Sequence, residues 1–182
     1  MKLRHALVCL ALVGTWTLLA AQPPGSGLTR EGDTVRHDAS KSSLKISKEW
    51  EEVDTKASVR QPHISLRKAF GDVDVVVTWT KLQDNLKFDE AVELELGQLA
   101  QSYGKDKVAK KEPITIENKS VAVIELSEGP DRNGKQAGVV YLFDAGPDAK
   151  DRWKVKLRAI VSKKGQNEAM KAVLELLRQF QW

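Results

Sequence analysis

Valines and a tryptophan recur at every second position from Asp72 to Lys81. Val73, Val75, Val77 and Trp79 fall on one side, and Asp72, Asp74, Val76, Thr78 and Thr80 on the other. Period two with β-branched and aromatic side chains predicts a strand with one richly apolar face. Gly71-Asp72 reads as a tight turn from a preceding strand over roughly Ile64–Phe70. The period then changes. Phe88, Val92, Leu96, Leu99 and Tyr103 recur every third or fourth residue, which lines one face of a helix over 88–103. Asp89 and Glu90 suit its positive end, and Gly104 suits its stop.

Strands return after the helix. Lys107–Glu117 carries Ile114 and Ile116, with Asn118-Lys119 as a turn; Val121–Ser127 and Ala137–Phe143 are apolar on both faces. Gly129-Pro-Asp-Arg-Asn-Gly134 has the composition of a hairpin loop, and Gly146-Pro147-Asp148 that of a turn. Trp153, Val155, Leu157, Ala159 and Val161 then alternate with Arg152, Lys154, Lys156 and Arg158. Ala169, Met170, Val173, Leu174, Leu177 and Phe180 form a stripe on a closing helix that starts near Asn167. Hairpin loops join antiparallel neighbours, so the pattern predicts an α+β fold: an antiparallel sheet packed with two main helices.

Ahead of these elements, Met1-Lys-Leu-Arg-His5 is a short basic stretch and Ala6–Ala21 is nearly all apolar. The run is shorter than a bilayer span and has the charge order of a signal peptide over 1–21, cut after Ala20 or Ala21. Retention as an anchor is the alternative. Residues 22–43 are rich in Gly, Pro, Ser, Thr and charge, with Leu28 and Val35 as the only sizeable apolar residues. They read as a flexible linker, which leaves one domain over 44–182.

The order and lengths of these elements resemble the PsbP-like superfamily, named for the extrinsic photosystem II protein, over roughly Trp50–Trp182. The similar stretches are Val75-Val-Val-Thr-Trp79, the helix Phe88–Tyr103, Asn118-Lys-Ser-Val-Ala-Val-Ile124, Val139-Val-Tyr-Leu-Phe143 and Leu176-Leu-Arg-Gln-Phe180. The resemblance implies an α/β/α sandwich. It also implies a binding or accessory role in a thylakoid lumen or bacterial envelope. It carries over no catalytic or ligand residue, because no such motif is matched.

Composition narrows the chemistry. Of the 182 residues 41% are hydrophobic and 30% charged, as in a globular domain. The formal charge of +4 includes Lys2 and Arg4; without them 27 basic residues face 25 acidic ones, about +2. That is too little for a nucleic-acid face. The lone Cys9 lies within the signal segment, so disulfides and thiol chemistry drop out of the cleaved protein. His37 and His63, one in the linker and one before a strand, lack metal-ligand spacing. Asp131, Asn133, Asp144, Asp148 and Asp151 offer oxygen donors for calcium, but these residue types are also what turns use. No Ser-His-acid set or phosphate loop is apparent. Asp72, Asp74, Glu90 and Glu93 could supply a carboxylate pair, though a strand's solvent face or a helix's first turn explains them equally.

The most distinctive surface feature is the row Arg152, Lys154, Lys156 and Arg158, about 7 Å apart along one strand face and extended by Lys163 and Lys164. It is a candidate partner-binding basic face, against the alternatives of a solvated face or a charged edge strand. The predicted protein is exported, periplasmic or secreted. It is a non-enzymatic binding or accessory protein with a protein partner, no cofactor, no nucleic acid and no span after cleavage. A lipid or small-molecule carrier with a pocket between sheet and helix, and a carboxylate-dependent hydrolase, are the alternatives.

Overall fold

The computed structural model describes residues 27–53, 61–68, 73–128, 136–146 and 151–182. In chain order it contains Leu28–Glu31 (β1), Thr34–His37 (β2), Ser42–Lys45 (β3), Trp50–Glu52 (β4), His63–Lys68 (β5) and Val73–Lys81 (β6). There follow Phe88–Tyr103 (α1), Val108–Ile116 (β7), Lys119–Leu126 (β8), Gln136–Ala145 (β9), Trp153–Ser162 (β10), Gln166–Leu177 (α2) and Phe180–Gln181 (β11). Residues 1–21, read above as a signal peptide, and the predicted turns or loops at 71–72, 129–134 and 147–148 lie outside the described residues.

The segments with period two pair as one antiparallel sheet, in the order β4-β5-β6-β10-β9-β8-β7. β10 is central: Val155, Leu157 and Ala159 stand opposite Trp79, Val77 and Val75 of β6 and opposite Phe143, Tyr141 and Val139 of β9. These side chains all point to one face and are buried. On that face lie α2, through Ala172, Val173, Leu176 and Leu177, and a second sheet of order β1-β2-β3-β11. On the opposite face α1 lays Val92 and Leu99 on Ile124 and Leu126 of β8 and Val140 and Leu142 of β9. Helix, sheet, then helix with a small sheet make the α+β sandwich anticipated above.

α1 has the predicted bounds for identifiable reasons. The Lys87 backbone N–H donates to Glu90 Oε2 at 3.0 Å, and Gly104, at φ 100°, closes the helix by donating to the Ala100 carbonyl. Two readings need correction. Residues 27–43 are not a linker: β1 to β3 pair there, and Val35 and Leu44 are fully buried. Their few apolar side chains suffice because the large sheet supplies the rest of the core. Phe180 is not on α2. The helix ends at Leu177, the chain turns through 178–179, and Phe180 pairs with Leu44 as part of β11. The buried stripe of α2 is accordingly rotated toward Ala172 and Leu176, leaving Ala169, Met170 and Leu174 half-buried.

Candidate functional site

Sheet pairing places the four cations of the basic row on the α1 side of β10, where the helix meets them. Glu95 comes from the end of the second turn of α1 and only 3% of its surface is exposed. It accepts Lys154 Nζ at 2.7 Å on one carboxylate oxygen and Lys156 Nζ at 3.0 Å on the other. Burial alone would raise the Glu95 pKa, but Lys156 and Lys154 together outweigh it and hold the carboxyl below its ordinary value. Arg152 donates from Nε to Asp144 Oδ2 at 3.0 Å and reaches the Leu86 carbonyl. Arg158 is half-buried. The row is therefore not an open cationic face: two of its lysines clamp α1 to the sheet. A helix glutamate 59 residues upstream of Lys154 carries no signal of this in periodicity.

The histidines also separate. His63 is half-buried in β5 with Nδ1 3.1 Å from the Gln61 carbonyl. His37 is 1% exposed and stands beneath Trp153, ring centroids 4.4 Å apart. Its Nδ1 accepts the Ser40 backbone N–H at 3.2 Å and lies 2.8 Å from Ser40 Oγ. Ser40 Oγ in turn is 2.7 Å from Ser42 Oγ, which accepts Trp79 Nε1–H at 2.9 Å. A serine beside a histidine is the arrangement of an activated nucleophile, but here both are buried and the hydroxyls are spent on each other and on Trp79. The network ties the small sheet to the large one.

Burial lowers the His37 pKa below the usual 6.5, with Asp38 and Asp151 opposing part of the shift. A depressed histidine value means that the neutral form is favoured by folding. Its stabilisation is complete above 6.5 and is lost as pH falls toward the folded-state value. Thermal melting at about pH 7.5 and about pH 5.5 should show a larger loss for the native chain than for His37→Gln. Equal losses would remove His37 as the cause.

The carboxylates do not converge. Asp74 accepts Arg67 Nε at 2.8 Å, Glu90 caps α1, and Glu93 pairs with Lys110 at 2.6 Å; Asp72 lies outside the described residues. Asp144 holds Arg152 and Asp151 holds Lys81 at 3.0 Å. Among the described residues no three metal-ligating side chains gather. Trp79 is fully buried and Trp50 nearly so, while Trp182 packs on Phe143 at 4.4 Å between ring centroids.

What remains is a cleft of about 750 Å³ between the first turns of α1, the strands β7 and β8, and the end of β9. Phe88, Pro113 and Ala122 give it apolar surface. Lys110, Lys111, Lys119, Arg152, Asp89 and Asp144 provide its charged lining. β7 is the edge strand, and its register shifts between Lys111 and Ile114 around Pro113; proline, charge and a bulge guard such an edge against pairing. The β7–β8 turn is Glu117-Asn118, both at positive φ (47° and 65°), so Lys119 begins β8 opposite Ile116 instead of belonging to the turn. Its Nζ lies over the Trp182 ring, 5.5 Å from the centroid. No sequence pattern joins α1, β8 and the last residue of the chain, so this site is visible only in three dimensions.

No protein-family model and no curated protein matches the chain. Solved structures do. LpqN of Mycobacterium tuberculosis, described as involved in cell envelope biogenesis, superposes with a TM-score of 0.55 at 15% identity, covering 77% of this chain and 82% of its own. PsbP of the cyanobacterium Synechocystis gives 0.52 at 7% identity, over 78% of this chain and 86% of its own. The Ran-binding protein Mog1p of Saccharomyces cerevisiae gives 0.51 at 13%, over 77% and 89%. At these identities the likeness is one of fold, and the fold of this chain is PsbP-like. No described helix is long and apolar enough to cross a membrane.

Proposed function

We propose that this chain is a non-enzymatic binding protein of the bacterial cell envelope that engages a protein partner through the cleft between α1, β7 and β8. The observation that carries the reading is the cleft itself. It is a concave, part-apolar surface whose rim is charged and open, while Ser40 and Ser42, and Glu95 with Lys154 and Lys156, are satisfied within the fold. A cleft of this size suits the anchor residues of a partner. The PsbP-like fold is shared by a protein of envelope biogenesis and by a Ran-binding protein, which supports a binding role without naming a ligand. Export rests on the basic and then apolar N-terminal segment. The charged rim argues against a wholly apolar lipid as occupant, and the scattered carboxylates argue against a hydrolase.

A photoreactive benzoylphenylalanine in place of Ser120, in the cleft, should cross-link one envelope protein reproducibly. The same group in place of Lys171, exposed on α2 across the sheet, should not. Equal capture from both positions, or none from Ser120, would refute the site.

A further inference from the structure

Resting on the binding reading above, we propose that the occupant of this cleft is an acidic segment of the partner, setting a carboxylate on Lys119 and an apolar side chain over Phe88 and Ala122. The cleft's lining sets four cations, Lys110, Lys111, Lys119 and Arg152, against two acids, Asp89 and Asp144. Three of those cations are already engaged: Lys110 by Glu93, Lys111 by Glu125 at 2.9 Å, and Arg152 by Asp144. Lys119 differs from them. Its Nζ lies over the face of Trp182, and among the described residues it forms no salt bridge, Asp144 acting on it only from beyond contact distance.

Position and environment make Lys119 a receptor for anions. The two-residue turn and the Ile116–Lys119 pairing fix its backbone at the lip of the cleft. Lys119 is an exposed residue whose Nζ stands over the Trp182 ring; slight burial of the ammonium lowers its pKa, and the negative charge of Asp144 opposes part of the effect. A carboxylate arriving from outside would meet this ammonium in a charge-assisted hydrogen bond. The pairs at Lys110 and Lys111 are solvent-exposed, hold little energy and can yield to an incoming acid without structural loss. Phe88, on the first turn of α1, and Ala122, in β8, supply the apolar contact beside these charges.

The mixed rim favours a polypeptide over a lipid headgroup. Asp89, exposed in the first turn of α1, would repel a phosphate but can accept a backbone N–H.

The test uses the purified protein and a fluorescein-labelled peptide of alternating glutamate and leucine, read by anisotropy. An otherwise identical peptide of glutamine and leucine is the control. The acidic peptide should bind, and binding should weaken as salt is raised. Lys119→Gln should weaken it about fivefold, Lys119→Arg should retain it because the cation and its ring contact survive, and Lys171→Gln should leave it unchanged. Equal binding of the glutamine peptide, no effect of Lys119→Gln, or displacement only by phosphatidylglycerol vesicles would overturn the proposal. Cross-linking from Ser120 that acidic peptide fails to compete would sink the acidic specificity and leave the protein-binding site standing. Peptide binding without any cross-linked protein would do the reverse.

Discussion

Replacing Glu95 by Ala should destabilise the protein by about 3 kcal/mol, because two lysines would be left against the sheet with no counter-charge. The Glu95 side chain is 4% exposed, and those of Lys154 and Lys156 are 14% and 29% exposed. A buried pair is weak evidence of net stability, but removing one member of it is costly, since the remaining charge keeps its desolvation penalty. Here one carboxylate serves two ammonium groups, so the loss is felt twice. Lysine stems can redirect their heads to water, which holds the effect below the upper end for such sites. The triple variant Glu95→Leu, Lys154→Met, Lys156→Met should recover most of the loss, because it removes all three charges together. Urea unfolding of the single and triple variants measures both. A single variant within about 0.5 kcal/mol of the native chain would show that the clamp is energetically idle. The clamp has an acid limit as well. The folded Glu95 carboxyl is held below its ordinary 4.5, so its contribution is whole above that value and disappears as pH falls through the folded-state value. That window opens at a lower pH than the one set by His37, which begins at 6.5.

Phe180→Ala should be at least as damaging, at about 3–5 kcal/mol. The ring is fully buried at the join of the two sheets, 5.0 Å from Phe143 and 6.4 Å from Trp79 between centroids. Truncation leaves a cavity that Val35, Leu44 and Leu177, held by paired strands and a helix, cannot collapse to fill. Trp182→Ala is the matched control. That ring is only half-buried and rests on Phe143 and Phe180 from the outside, so its loss should cost clearly less. Denaturation midpoints would separate the two, and a smaller effect at 180 than at 182 would contradict the packing described.

Both results bear on how this sequence encodes its fold. The alternation in 73–81 and 153–162 and the helical period in 88–103 identified their elements, because each apolar face is continuous and long enough to be seen locally. Phe180 matched the helical spacing of α2 and was still misplaced, because what ends the helix is the pairing of Phe180 with Leu44, a residue far away in the chain. The first three strands are four residues each with a single apolar side chain, too little to distinguish from a linker by composition. They are ordered by the large sheet, through Trp79 and Trp153 against His37 and through Phe180 against Leu44.

Charge followed the same division. The alternation of Lys154, Lys156 and Arg158 with apolar residues correctly put them on one face of β10, but whether that face met water was set by where α1 docks. The cleft is a tertiary product throughout: its walls come from α1, β7, β8 and β9, and Trp182 reaches Lys119 from the other end of the sequence. Local spacing of apolar side chains was enough to determine the sheet, its main helices and the α+β class, since burial of a periodic face is a property of each segment alone. The small sheet, the buried Lys-Glu-Lys clamp and the cleft were decided only on folding, because each depends on which distant segment supplies the opposing surface or charge.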